Sequence, residues 1–483
     1  MRWVPIRTSF ASCSLSTQDR LYPIQSQDFN RTPEIQLPTP LLTVSRQRSS
    51  SQYPLGIFLK AIDLSFLRRL TDGTKKKALF YYASSSLICQ ALRFIGVLIT
   101  TRLIAPEQFG LFAQAALLMS FAGLLREIGQ TGALVAYQGT DQRYAYFNFQ
   151  TNLLLGCVAS ALTVSACLLL KIVPLELRSL AWVLAAIPLA ESLTFTNVLM
   201  LQKRFRFRAL GIIEIICLCV WLATVGLLVG RAPGLSVLLY AQLAEFTCRC
   251  LLLFAVARLE FIGFANGSDL RHYYFYQFAR PVIPLVVING LLGRVDYLLL
   301  SIFSTRMELG VYERLGQFSR IPMSLTINLC DKVLMHSYSH AQADRRTLTR
   351  MLRKSMLVMA AGVVVITALV TLFLLIFLPH LIGRQWSPII MRLWWYGLPV
   401  ILFTPILANI SLFFSGLGAQ TQLLKNTVLN LITDVVFGLL FVAGLGAAGM
   451  LIAKSISGLF ALIYQATALQ SRLKTVEDLS KQS

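Results

Sequence analysis

Residues 98–115 read LITTRLIAPEQFGLFAQA and residues 298–316 read LLLSIFSTRMELGVYERLG. Each stretch closes one long apolar block, makes a short polar break and opens the next block. At an offset of 200 residues Gly110 aligns with Gly310 and Phe112 with Tyr312. A unit that recurs at this spacing divides the chain into two halves with six apolar blocks in each. An even number of crossings returns the chain to the side it left, so both halves insert in the same sense. The predicted plan is a pair of parallel repeats related by a pseudo-twofold axis along the membrane normal, an arrangement suited to alternating access.

Composition sets the solvent. Hydrophobic residues make up 56% of the 483 positions and charged residues 14%, against roughly 25% charged in an ordinary soluble domain. The chain lacks the polar surface to coat a water-soluble body of this size. A helix needs about 20 apolar residues to cross the hydrocarbon core, and a backbone in lipid must satisfy its own hydrogen bonds, which leaves helices or closed barrels. The blocks are too long and continuous for barrel strands. The expectation is an all-α, polytopic membrane protein of about twelve transmembrane helices. They fall near 79–101, 109–128, 147–170, 179–200, 210–229, 235–257, 277–302, 310–335, 355–378, 389–415, 421–443 and 446–469.

The formal charge of +22 reads as topogenic charge and attraction to anionic lipid, with no nucleic-acid partner. Lys203, Arg204, Arg206 and Arg208 share one predicted face with Arg345, Arg346, Arg350, Arg353 and Lys354. The opposite face carries only scattered basic residues such as Arg102, Lys171 and Arg384. Such a bias puts both termini in the cytoplasm. Residues 1–74 read as a basic, Ser/Pro-rich tail, disordered apart from a short interfacial helix at 55–70. Residues 75–260 form the predicted N-lobe, and 261–483 the C-lobe with a short cytoplasmic C-terminus. Tyr144, Tyr146, Tyr273, Tyr274, Tyr276, Trp386, Trp394 and Trp395 fall near predicted interfaces, where aromatic belts anchor spans.

Ionisable residues inside spans cost roughly 2.5–3.5 kcal/mol each on insertion scales and face a cavity or a partner. The candidates are Arg93 in helix 1, Arg126 and Glu127 late in helix 2, Arg294 and Asp296 in helix 7, and Glu313, Arg314 and Arg320 in helix 8. Arginine suits a diphosphate because its planar fork makes paired hydrogen bonds and its charge is not lost by deprotonation. Other readings stand beside this one. Arg126 and Glu127 sit where they can snorkel or pair, and Asp296 and Glu313 fit substrate contact, cation coupling or structural pairing. Glu245 and Arg249, four apart, read as a self-contained ion pair. His336 and His340 have helical metal spacing but no third ligand nearby, so no metal is expected. Neither a P-loop, a nucleophile elbow nor a long loop for a catalytic domain occurs, which argues against an enzyme.

TRLIAPEQFGLFAQAALL (101–118) followed by REIGQTGALVAYQ (126–138) resembles the first helix junction of Wzx-type polysaccharide flippases. These belong to the multidrug/oligosaccharidyl-lipid/polysaccharide exporter superfamily. LQKRFRFRALGIIEI (201–215), RVDYLLLSIFSTRMELGVYERLGQFSRIP (294–322), HSYSHAQADRRTLTRMLRK (336–354) and GRQWSPII (383–390) continue the resemblance in order. It departs at Arg126-Glu127-Ile128-Gly129 and in the tail before Lys75. The resemblance implies flipping of a polyprenyl-pyrophosphate-linked saccharide from the cytoplasmic to the outer leaflet of the bacterial inner membrane, for surface polysaccharide or lipopolysaccharide. It also implies a cavity lined by helices 1, 2, 7 and 8, no cofactor beyond a coupling cation (H+ or Na+), and contact with polymerase and chain-length machinery. A cation-coupled multidrug exporter is the alternative within the superfamily, and a membrane polysaccharide polymerase the alternative outside it.

Overall fold

The structure, a computed structural model, describes residues 73–124, 141–169, 173–204, 206–231, 233–257, 274, 280–340, 345–382, 386–417 and 419–482. Among these residues the apolar blocks are helical and no strand occurs. In chain order the helices are α1 (Gly73–Leu103), α2 (Pro106–Leu124), α3 (Asp141–Leu169), the short α4 (Leu175–Ser179), α5 (Ala181–Lys203), α6 (Phe207–Val229) and α7 (Leu235–Ala257). The C-terminal half continues with α8 (Arg280–Leu292), α9 (Val295–Phe303), α10 (Arg306–His340), α11 (Arg345–Ile382), α12 (Ser387–Gly416) and α13 (Gln420–Gln482).

Seven of the described helices are long and apolar enough to cross a membrane, or eight if the bent pair α8–α9 is one span. One of the seven, Thr421–Ser471, holds a kink at Gly446. The protein is therefore a multi-pass, all-α membrane protein. Helix α10 falls outside that set, and its sequence shows why: Glu308, Glu313, Arg314 and Arg320 lie along it. Helix α11 shows the opposite character, exposing Leu357, Val364, Val365, Leu369, Leu372 and Ile376. An apolar surface of that extent needs lipid, not water, around it.

The two repeated segments meet. Helices α2 and α10 form the most extensive contact between the N-terminal and C-terminal halves. A Cβ at Gly110 would lie 1.9 Å from the carbonyl oxygen of Arg306, and a Cβ at Gly310 would lie 2.0 Å from that of Pro106. Each glycine thus faces the carbonyl that its own counterpart's helix places four residues earlier, which is the reciprocal contact a twofold axis generates. Only a residue without a side chain permits this approach.

The relation extends one turn outward. Gln108 Oε1 accepts the N–H of Leu235 at the start of α7, 2.9 Å away. At the position 200 residues on, Glu308 Oε2 accepts the N–H of Ala447, which opens the second arm of α13, at 3.2 Å. Both side chains satisfy orphan donors at a helix N-terminus. Gly446, before Ala447, has φ +54, and a Cβ there would meet the Glu308 carboxylate at 1.7 Å.

Two expectations change. Helix 7 is not continuous over 277–302: α8 and α9 are bent by 42° at Gly293–Arg294. Trp386, Trp394, Tyr144 and Tyr274 are buried within the protein and present no ring outward as an anchoring belt would. Trp386 packs edge-on against Phe109 with centroids 5.5 Å apart, and Trp394 Nε1 donates to Thr371 Oγ1 at 3.0 Å. A large aromatic ring gains most when fully desolvated, and of the two indole N–H groups only that of Trp394 finds a partner among the described residues. Trp395, by contrast, is exposed, and Tyr273 and Tyr276 lie outside the described residues, as do 1–72, the predicted tail and interfacial helix.

Gly110→Val or Gly310→Val should push α2 and α10 apart at a cost of about 1–3 kcal/mol or more, lowering the melting temperature in detergent. Gly123→Ala, also on α2 but with open space around it, should leave that temperature unchanged.

Candidate functional site: an arginine-lined cavity between the halves

Directly beyond the glycine crossing, α1, α2, α6, α7 and α10 enclose a cavity of about 590 Å³. Along α10 it starts four residues past Gly310, at Arg314, and ends at Arg320; the rise of about 1.5 Å per residue makes that wall about 9 Å long. Arg93, Arg249, Arg314 and Arg320 all line it, with Gln317, Gln242, Glu245, Phe94 and Trp221.

These four arginines are not equivalent. Arg93 Nη2 pairs with Glu214 of α6 at 2.8 Å. Arg249 pairs with Glu245 at 2.9 Å in the expected i,i+4 geometry and lies over the Phe246 ring. On the wall from the N-terminal half, then, each cation has its own carboxylate. Arg314 differs. It is 4% exposed, stacks on Phe109 of α2 at 3.5 Å, and donates from Nη1 to the neutral Gln317 at 2.7 Å. Its Nε makes no hydrogen bond, and no carboxylate forms an ion pair with it among the described residues. A buried guanidinium lacking a counter-ion carries a desolvation penalty of several kcal/mol. Arg320 lines the same wall and also borders a second cavity of about 180 Å³ that contains Asp296, Tyr297, Tyr312 and Lys454.

The remaining sequence candidates go elsewhere. Arg294 sits at the α8–α9 break, where Nη1 donates to Gly290 O at 3.0 Å, and it does not line the main cavity. Asp296 is 3% exposed, pairs with Lys454 of α13 at 2.5 Å, and accepts the Tyr312 hydroxyl at 2.7 Å. Glu313 accepts Tyr297 Oη at 2.6 Å and Gln317 Nε2 at 2.8 Å. Both carboxylates therefore hold α9, α10 and α13 together and do not point into the main cavity. Arg126 and Glu127 lie outside the described residues.

Sequence reasoning missed the pairing of Arg93 with Glu214, since partners 121 residues apart leave no local spacing. It also missed Gln317, although Arg314, Gln317 and Arg320 recur every three residues and make a visible stripe on one helix face.

The end of the bundle above the cavity carries one further contact between halves. Arg306 Nη1 donates to Glu176 Oε1 of α4 at 3.1 Å, both side chains half-exposed. The Glu176 carboxyl is held below the usual glutamate range, first by its own backbone N–H and then by the Arg306 guanidinium.

The described residues thus form a multi-pass helical bundle with a charged cavity beside a crossing of small residues. Residues 99–391, more than half of the chain, match the polysaccharide biosynthesis protein family, and the chain belongs to that family. No curated protein matches it in sequence. Among solved structures, the lipid II flippase MurJ in an inward closed conformation is similar at a TM-score of 0.65 and 12% identity, over 83% of this chain and 90% of that one. An inward-facing multidrug resistance MATE family transporter of the MOP superfamily is similar at 0.60 and 13% identity, over 80% and 96%. An outward-facing one reaches 0.53 at 15% identity, over 83% and 96%. At these identities the likeness is one of fold.

A carboxyl whose pKa is depressed by pairing stabilises the paired state above its free value, and that contribution is lost as pH falls through the depressed value. The Glu176–Arg306 contact should accordingly hold at neutral pH and release in acid below the ordinary glutamate range. Spin labels at Leu175 and Thr305 should report a longer distance in acid. Glu176→Gln should show at neutral pH a population of that longer distance raised about two- to fivefold, as an exposed pair of up to about 1 kcal/mol allows, with little further change on acidification.

Proposed function

We propose that this protein is a flippase that moves a polyprenyl-pyrophosphate-linked saccharide from the cytoplasmic to the outer leaflet of the bacterial inner membrane, for surface polysaccharide or lipopolysaccharide synthesis. The observation that carries the reading is Arg314, a buried guanidinium that lines the cavity between the halves against a neutral amide and an aromatic ring, with no carboxylate at ion-pair distance among the described residues. A diphosphate supplies the missing negative charge, and Arg320 one turn and a half along α10 can take its second phosphate. The membership in a polysaccharide biosynthesis family and the fold shared with a lipid II flippase support the same substrate class.

The working arrangement is two six-helix lobes, 75–260 and 261–483, making twelve spans with both termini in the cytoplasm and residues 1–74 as a cytoplasmic tail. In that orientation the Gly110/Gly310 crossing and the Glu176–Arg306 contact close the outer side, and the cavity admits the headgroup from the inner leaflet. Rocking of the lobes about the crossing then releases it outside, while the lipid tail stays in the bilayer. The protein moves its substrate without making or breaking bonds, and holds no cofactor. A coupling cation, H+ or Na+, would find carboxylates at Asp296 and Asp434, where Lys454 already supplies one positive charge. Polymerase and chain-length proteins would receive the product outside. Export of cationic drugs is disfavoured because the uncompensated charge on the cavity wall is positive.

Arg314→Gln and Arg320→Gln should each lower translocation at least about tenfold, the loss of one charge-assisted hydrogen bond of about 1.5–3 kcal/mol, without reducing insertion. Proteoliposomes loaded with labelled lipid-linked saccharide, read by accessibility of the glycan to an external lectin, test this. Wild-type rates in both variants would remove the anion site from α10.

A further inference from the structure

The wall of the cavity that faces α10 has a different chemistry. Arg93 and Glu214 neutralise each other, as do Arg249 and Glu245, so α1, α6 and α7 together present paired donors and acceptors with no net charge. Gln242 lines the same wall, and its Oε1 accepts no hydrogen bond within the described residues. Trp221 lies beside them, set against α1 where Gly96 leaves room: a Cβ at that glycine would be 2.8 Å from Trp221 Cζ3. A diphosphate is poorly served here, because it would meet the Glu245 carboxylate, and both arginines are already engaged by carboxylates of their own.

A neutral polyhydroxylated ring is well served. Its hydroxyls both donate and accept, and they need side chains that offer both roles in fixed positions. Ion-paired arginine and glutamate are such side chains, since each partner holds the other in place while N–H groups and lone pairs remain for a ligand. The apolar C–H face of a pyranose needs a flat aromatic surface, which Trp221 supplies, and pockets for small ligands commonly combine such surfaces with a few convergent polar groups.

We infer that the wall built by Trp221, Gln242, the Glu245–Arg249 pair and Arg93, which Glu214 holds from behind, is a saccharide subsite, so that the substrate enters with its diphosphate against α10 and its first sugar against α1, α6 and α7. This rests on the flippase reading and adds to it an orientation and a second recognition surface. The zwitterionic pairs then do the opposite of what isolated cavity arginines do. They select for an uncharged headgroup beyond the phosphates and repel neither end of it.

The test is equilibrium binding to the full chain in nanodiscs, by isothermal titration, with two probes. One is undecaprenyl diphosphate without sugar, and the other is the same lipid carrying a single N-acetylhexosamine. The sugar should tighten binding to the wild type about tenfold, the equivalent of about 1.4 kcal/mol. Trp221→Leu should erase that increment while leaving affinity for the bare diphosphate within about twofold, and Gln242→Met, which keeps the volume of the side chain, should do the same. Arg320→Gln should weaken both probes alike. If the two wall variants weaken both probes equally, or if the sugar adds nothing to wild-type affinity, the subsite is overturned while the α10 anion site stands. If the wild type binds neither probe, the flippase reading falls and the subsite with it.

Discussion

The contact between Gly110 and Gly310 is the constraint on which the rest of the molecule depends. Two helices can bring their backbones to the separation seen here only if neither carries a Cβ at the crossing. That close approach pins the halves together at one end, and the divergence of the helices beyond it opens the cavity. It also sets Arg314, four residues past Gly310, over Phe109 at 3.5 Å, since both lie on the faces that the crossing presses together. Even the caps of α7 and of the second arm of α13 come from this segment, through Gln108 and Glu308. A single short motif, used twice, thus supplies the closest backbone approach between the halves and two helix starts.

The second organising principle is the accounting of charge inside a low-dielectric body. Most ionisable residues within the described spans have found partners: Arg93 with Glu214, Arg249 with Glu245, Lys454 with Asp296. Such pairs hold helices in register, and breaking one by removing a partner costs far more than the pair contributes. Against that background the guanidinium of Arg314 stands out. Which arginine has no ion-pair partner among the described residues is thus decided by packing, and the number of arginines in the spans says little by itself. The pairs on the opposite wall are neutral overall, so the cavity has a cationic side and a zwitterionic side.

Several features were legible from residues alone, and others were not. The alignment of Gly110 with Gly310 pointed to paired halves, and the two glycines do meet. The i,i+4 spacing of Glu245 and Arg249 foretold their ion pair, because local spacing on a helix is itself geometry. Arg294 carried the same weight as Arg320 in the sequence, yet the bend at Gly293 turns it back on Gly290 O, and a bend of 42° leaves no clear mark in an apolar run. Trp386 and Trp394 read as belt residues from their position near span ends, but burial against Phe109 and Thr371 depends on neighbours distant in the chain.

The sequence by itself determined the solvent and the secondary structure: long apolar blocks require a membrane, and a membrane requires helices that satisfy their own backbones. It also determined the repeat, because a duplicated motif is visible as text. The tertiary structure alone decided which charges are compensated, since Arg93 and Glu214 are 121 residues apart and Asp296 and Lys454 lie on different helices. A pattern of types can announce that charge is buried. Only the packing of one helix against another says whether a second charge lies within about 4 Å, and at that range in a low-dielectric interior the difference dominates every other electrostatic interaction.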